Sequence, residues 1–224
     1  MENKKYRALL VGASGLIGQE LLNQLFADER FESVTVWVRK TLDISHSKLV
    51  QKVIDFDALP EKLEHSVDYA FCALGTTIKK AGSETAQHKI DYEYVVEFAK
   101  VCKRSEVASL GVVSSLGANA KASNFYLRTK GEMEESLKSL QLNRLVFVRP
   151  SLLLGNRQEF RLGEVLMTPL IKLFAPLLVG KLRKYRGVEA SKVAACLIRE
   201  SITSNSGVTI IESDKIGQSF FGSR

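Results

Sequence analysis

The chain is poor in the residues that build covalent or repetitive scaffolds. Its 224 residues include three cysteines, four prolines and one tryptophan. Cys72, Cys102 and Cys196 are widely spaced and odd in number, which argues against a disulfide framework and against a zinc site with paired ligands. A hydrophobic content of 45% with few prolines excludes a disordered or collagen-like chain. We therefore expect a globular protein without a bound metal, in the reducing cytoplasm.

Long hydrophobic runs are also absent. The longest late apolar stretch, residues 166–180, contains one lysine and two prolines. It is shorter than the roughly 20 residues of a membrane-spanning helix. The basic and apolar start of the chain imitates a signal peptide, but Gly12, Ser14 and Gly15 interrupt it at once. We expect neither a transmembrane segment nor a signal peptide.

Strand and helix patterns alternate along the chain. Apolar or β-branched runs predict strands at residues 8–11, 34–38, 49–54, 69–74, 110–113 and 145–148. Amphipathic patterns predict helices around residues 16–25, 92–99 and 133–140. Because the runs are apolar on both faces, they predict an α/β fold with a doubly wound parallel sheet, a Rossmann fold, in a single domain of residues 1–224. Ligands of such sheets bind at the carboxyl ends of the strands.

The first of these strand ends carries Gly12, Gly15 and Gly18, spaced G-x-x-G-x-x-G before an amphipathic helix. Glycines at this position let the backbone approach a pyrophosphate, and the free N–H groups of the helix offset its charge. This pattern predicts a dinucleotide site. The alternative is a helix-start turn whose glycines only ease packing.

The second predicted strand ends in Arg39 and Lys40, with no carboxylate for the ribose hydroxyls of NAD. A guanidinium binds phosphate oxygens in pairs, and an ammonium adds charge. The pair therefore favours NADP(H), with its 2′-phosphate. A solvated basic strand end is the alternative in a chain of net charge +7.

The strongest catalytic pattern is Tyr126 with Lys130, four residues apart on one helical face. A free tyrosine has a pKa of about 10, and a neighbouring ammonium favours its ionised form. Ser114 and Ser115 follow the fifth predicted strand, and either hydroxyl could orient a substrate oxygen while Tyr126 transfers a proton. Ser115 is the first choice because it lies farther beyond the strand.

These motifs together resemble the short-chain dehydrogenases/reductases, and in particular the atypical branch with the Tat-interacting oxidoreductase family. The resemblance covers nearly the whole chain, although Leu16-Ile17 replaces a more polar pair and Ser151 stands where glycine often follows Arg-Pro. It implies NADPH binding, with Tyr126 as proton donor or acceptor. By the same resemblance, the cofactor would be touched by Ser14, Gly15, Leu16, Ile17, Arg39, Lys40, Leu74, Gly75, Leu153 and Arg161.

Residues 156–186 are expected to form a small substrate-side segment, an apolar lid or a self-association surface that would make the protein a homo-oligomer. A plain core face is the alternative. The expected partner is a small carbonyl or alcohol substrate, and we do not expect nucleic acid. Two other functions stay open: an NADP(H) sensor with little turnover, and an interaction scaffold.

Overall fold

The computed structural model describes residues 5–154, 187–203 and 205–217. The strands are β1 (Tyr6–Val11), β2 (Phe31–Val38), β3 (Leu49–Val53), β4 (Tyr69–Cys72), β5 (Ser109–Val113), β6 (Arg144–Arg149), β7 (Leu153–Leu154), β8 (Val188–Glu189) and β9 (Gly207–Glu212). The α-helices are α1 (Leu16–Ala27), α2 (Ile78–Ala81), α3 (Glu84–His88), α4 (Tyr94–Arg104), α5 (Phe125–Ser139) and α6 (Ala190–Ser201). A π-helical turn, Lys89–Glu93, joins α3 to α4, and a 3₁₀ turn covers Ser213–Lys215.

The main sheet of the described residues has seven strands in the order β3-β2-β1-β4-β5-β6-β9. Every neighbouring pair is parallel. The strand order reverses between β1 and β4, the point at which open α/β sheets bind ligands. The prediction of a doubly wound parallel sheet is confirmed.

Helices cover both faces of the sheet because the strands are apolar on both sides. On one face, Leu21 and Leu25 of α1 pack with Leu197 of α6 against the sheet. On the other face, Phe98 of α4 and Met133 of α5 do the same. These five side chains are all fully buried. Two hydrophobic layers therefore hold the strand ends, and the loops that follow them, in fixed positions.

Several elements of the fold lie beyond the predicted set, among them the edge strand β9 and the helix α6. In β9, Val208 is 49% exposed and Ile210 is 36% exposed, so the strand lacks the two-sided burial of its neighbours. It is defined by its pairing with β6, from Arg144↔Gly207 to Arg149↔Glu212. The expected lid or self-association surface at residues 156–186, and Arg161 within it, lie outside the described residues and stay predictions.

Candidate active site

The glycine turn after β1 is closed by backbone contacts that leave no room for side chains. Gly12 has a φ of +84°, in the left-handed region that glycine tolerates, and a Cβ there would lie 2.5 Å from the carbonyl carbon of Ala73. A Cβ on Gly18 would lie 2.0 Å from the carbonyl oxygen of Gly12. The N–H of Gly15 donates to that same carbonyl at 3.0 Å. Gly12 and Gly18 thus allow the close backbone contacts that form the turn. Ser14 lies exposed at the tip of the turn.

The turn leaves the amino end of α1 open. Gly15 is the N-cap residue and provides no side-chain cap, and the first helical turn contains no acidic residue. The first N–H groups of a helix have no partner within it, and its dipole favours an anion there. Gly15, Leu16 and Ile17 line a cleft at this point. The arrangement fits the pyrophosphate of a dinucleotide.

The cleft continues across the carboxyl ends of β4, β5 and β6. It brings together ten of the residues predicted from the sequence, namely Gly15, Leu16, Ile17, Leu74, Gly75, Ser114, Ser115, Tyr126, Lys130 and Leu153. Ala73, Val113, Pro150 and Ser151 also line it and were not predicted. Tyr126 is half-buried in the first turn of α5, and Lys130 follows one turn later with 2% of its surface exposed.

A buried carboxylate holds the ammonium of Lys130. Nζ of Lys130 lies 2.9 Å from Oδ1 of Asp91, and both side chains are almost completely inaccessible. The other Asp91 oxygen accepts the N–H of Thr76 at 2.8 Å. Burial disfavours the charged amine, but the Asp91 carboxylate and the phenol of Tyr126 outweigh it, so the pKa of Lys130 is raised above its ordinary value. Lys130 is therefore a charged lysine at neutral pH.

Asp91 also fixes the loop after β4. A Cβ on Gly75 would lie 3.3 Å from Oδ1 of Asp91 and 3.8 Å from Nζ of Lys130, so this glycine passes directly over the ion pair. Gln87, also buried, donates to the carbonyl of Thr76 at 3.3 Å. Two buried polar side chains thus order the segment that resemblance assigns to the cofactor.

The two serines after β5 have different surroundings. Ser114 is 3% exposed and donates to Oε1 of Glu134 at 2.5 Å. Arg149 binds both oxygens of that carboxylate, at 2.9 and 2.7 Å, and also reaches Glu212 at 2.9 Å. Ser115 is half-buried at the cleft, and its hydroxyl makes a long contact of 3.4 Å to the carbonyl of Leu116. Both serines line the cleft, but the Ser114 hydroxyl is held in a buried polar network, and Ser115 is the more accessible of the two.

Arg39 and Lys40 lie just beyond β2 and are both exposed. They are not among the residues that line the cleft at α5. Their place at the carboxyl end of β2, next to β1 and its glycine turn, is where a Rossmann fold receives the adenosine ribose. Their role in cofactor binding stays a prediction.

Sequence reasoning missed the polar residues beneath the cleft: Asp91, Glu134 and Arg149. Glu134 lies four residues after Lys130, a spacing that places it on the same helical face and could have indicated it. Asp91 had no such signal. It lies in the π-helical turn Lys89–Glu93, a rare geometry that is frequent at functional sites.

No helix in the described ranges combines the length and hydrophobicity that crossing a membrane requires. Within the same ranges, no three His, Cys, Asp or Glu side chains are grouped to hold a metal ion. Cys72, Cys102 and Cys196 are buried as free thiols, and burial raises the pKa of Cys72 to about 11.

Comparison with known proteins gives one family match and several relatives. A family model described as NAD(P)H-binding matches residues 12–168. Protein HTATIP2 of Rattus norvegicus is 36% identical over 169 residues, which are 73% of this chain and 69% of the relative. Protein FMP52, mitochondrial, of Debaryomyces hansenii is 32% identical over 213 residues, which are 91% of this chain and 92% of the relative.

Solved structures share the fold at low sequence identity. MoeE5 in complex with UDP-glucose and NAD has a TM-score of 0.68 and 15% identity, covering 94% of this chain and 79% of that chain. A UDP-N-acetylglucosamine 4-epimerase from Methanobrevibacter ruminantium has a TM-score of 0.68 and 16% identity, and the match covers 93% of this chain and 77% of that chain.

The prediction of a cytoplasmic location is wrong. FMP52 relatives in Debaryomyces hansenii and Candida albicans are mitochondrial proteins by name. Unpaired cysteines indicate a reducing environment, but they do not say which compartment provides it.

Proposed function

The chain belongs to the NAD(P)H-binding family, in the atypical branch of the short-chain dehydrogenases/reductases, and from this premise we propose that it is an NADPH-dependent oxidoreductase. Its substrate is a small carbonyl compound or the corresponding alcohol. The observation that carries the proposal is the meeting of Tyr126, Lys130 and Ser115 in one cleft with the open end of α1.

Each residue has a distinct role in this proposal. The nicotinamide, when bound, supplies or accepts the hydride. Tyr126 gives a proton to the carbonyl oxygen during reduction, or takes it from the alcohol during oxidation. Lys130 stabilises the resulting phenolate with its positive charge, and Asp91 holds Lys130 in place. Ser115 donates a hydrogen bond to the substrate oxygen.

The proposal is tested by binding and turnover together. Isothermal titration with NADPH and NADH measures the cofactor preference, and a panel of aldehydes and ketones is followed at the nicotinamide absorbance. Tighter binding of NADPH with oxidation of NADPH by at least one carbonyl is expected. Absence of binding to either cofactor would contradict the proposal and favour a scaffold.

The surroundings of the two serines predict opposite consequences for their removal. Ser115→Ala is expected to lower kcat by about a hundredfold with little change in stability, because one donor to the substrate oxygen is lost. Ser114→Ala is the matched variant. It leaves the buried Glu134 carboxylate short of a donor, so it should lower the free energy of unfolding by about 1–3 kcal/mol. Steady-state kinetics and urea unfolding measure both; a larger kcat loss in Ser114→Ala would reverse the assignment.

The NADP preference is tested by reversing the charge after β2. Arg39→Asp removes a cation and places a carboxylate where the 2′-phosphate is expected. The dissociation constant for NADPH should rise by about a hundredfold, since two to three kcal/mol of charge-assisted hydrogen bonding is lost, while that for NADH should change far less. Equal changes for the two cofactors would show that Arg39 does not read the 2′-phosphate.

A cofactor-sensing role is the second candidate function. The buried Asp91 carboxylate offsets part of the positive charge of Lys130, which weakens the field that favours the phenolate of Tyr126. A protein that binds NADPH without turning over any carbonyl, but whose binding to a partner changes with NADPH, would be a sensor.

A further inference from the structure

The loop that carries Arg39 and Lys40 is fixed at both of its ends. Before it, the carbonyl of Val38 accepts the N–H of Ile54 at 3.0 Å, which closes the pairing of β2 with β3. After it, Leu42 is bound by a side chain of β3. Arg39, Lys40 and Thr41 therefore form a bridge of three residues between two anchored points, and we call residues 39–41 the basic bridge.

The second anchor is the side-chain amide of Gln51. The N–H of Leu42 donates to Oε1 of Gln51 at 2.8 Å, and Nε2 of Gln51 donates to the carbonyl of Leu42 at 3.1 Å. Nε2 also lies 3.4 Å from the carbonyl of Ile44. A carboxamide offers one acceptor and two donors, so it pairs with a peptide group as a neighbouring strand would. Gln51, whose backbone is in register with Val36, thus ties Leu42 to the middle of β3 through its side chain.

Other contacts of this loop act farther along the chain. Nζ of Lys48 donates to the carbonyls of Phe26 and Asp28 at 2.7 and 2.9 Å. The His46 ring stacks on Phe26 with the centroids 4.0 Å apart. These contacts fix the return of the loop to β3. Leu42 also packs against the hydrophobic cluster of α1, so its side chain and its backbone are both held.

We propose that Gln51 is a positioning residue for cofactor selection, which holds the basic bridge in the arrangement that receives a 2′-phosphate. Gln51 acts through Arg39 and Lys40, so the inference rests on their assignment under the proposed function. An exposed loop that is ordered before binding loses less conformational entropy when it binds. Because 2′-phosphate is the group that the basic bridge would contact, loss of Gln51 should weaken NADPH and spare NADH.

The test uses two fragments that differ by the 2′-phosphate, namely 2′,5′-ADP and 5′-AMP, in isothermal titration of the full chain. Gln51→Leu keeps a similar size and removes the hydrogen bonds to Leu42. We expect the dissociation constant for 2′,5′-ADP to rise about five- to tenfold, since two modest hydrogen bonds are lost, and that for 5′-AMP to stay unchanged. Gln51→Glu keeps the acceptor but lacks the donor, and should act in the same direction.

Two controls separate positioning from a general structural effect. Val50→Thr changes an exposed neighbour on β3 and should leave both fragments unaffected. In an Arg39→Ala/Lys40→Ala background, Gln51→Leu should have no further effect on 2′,5′-ADP, because the groups it positions are absent.

Three outcomes would overturn the inference. Equal weakening of both fragments by Gln51→Leu would show a structural role, and an undiminished effect in the Arg39→Ala/Lys40→Ala background would show that Gln51 acts elsewhere. An unchanged preference for 2′,5′-ADP in Gln51→Leu would remove the role of Gln51 alone. If the unaltered protein bound the two fragments equally, the NADPH assignment itself would fail.

Discussion

Replacing Tyr126 with phenylalanine is expected to lower kcat by about a thousandfold, the usual contribution of a positioned proton donor. The change removes one oxygen from a half-buried side chain and leaves the glycine turn and the Lys130–Asp91 pair in place. The dissociation constant for NADPH should therefore stay nearly constant. Steady-state kinetics and isothermal titration measure the two quantities.

Tyr69→Phe is the matched control. Tyr69 is the first residue of β4, so it lies at the amino-terminal ends of the parallel strands, whereas the cleft lies at their carboxyl ends. Tyr69→Phe should retain full turnover. Turnover that survives in Tyr126→Phe would remove the proton-transfer role, and a parallel loss of NADPH affinity would indicate that the phenol mainly holds the cofactor.

Replacing Asp91 with asparagine is expected to lower the free energy of unfolding by about 3 kcal/mol near neutral pH, as when one partner of a buried ion pair is removed. Lys130 would stay buried without its counter-ion. One of the two groups that bind the Asp91 side chain, the N–H of Thr76 or Nζ of Lys130, would then face an amide nitrogen. Asp57→Asn is the control. Its ion pair with Lys89 is exposed, so its loss should have only a small effect in urea unfolding.

Asp91→Asn should also reverse the pH dependence of the free energy of unfolding that comes from Lys130. In the unaltered protein burial opposes the charge on Lys130, but Asp91 and Tyr126 outweigh it and the pKa of Lys130 is raised. The stabilisation is complete below the ordinary value of 10.5 and is lost as pH rises through the folded value. In Asp91→Asn the contribution of the carboxylate is lost, and burial, the largest influence, should lower the pKa of Lys130, so stability should increase as pH rises toward 10.5. Parallel unfolding curves for the two proteins would contradict this account.

The layered fold could be predicted from the sequence because its central strands are buried on both faces. Leu9 and Leu10 of β1 are both inaccessible yet point to opposite helical layers, which produces a continuous apolar run. Strand β9 could not be predicted in this way, because Val208 and Ile210 are exposed to solvent and the strand is defined by its pairing with β6.

The candidate site divides in the same way between local and non-local signals. Tyr126 and Lys130 were identified because their spacing along one helix carries the chemistry. The role of Asp91 depends on a π-helical turn that brings it beneath α5, and the role of Gln51 depends on the pairing of β2 with β3. Contacts between separate elements leave no fixed spacing in the sequence.

The most direct test of the central claim is a crystal structure of the protein with bound NADPH. The account predicts that the Tyr126 hydroxyl faces C4 of the dihydropyridine ring, with Lys130 at the adjoining ribose and Ser115 on the substrate side. A Tyr126 hydroxyl directed to solvent, away from the ring, would contradict it.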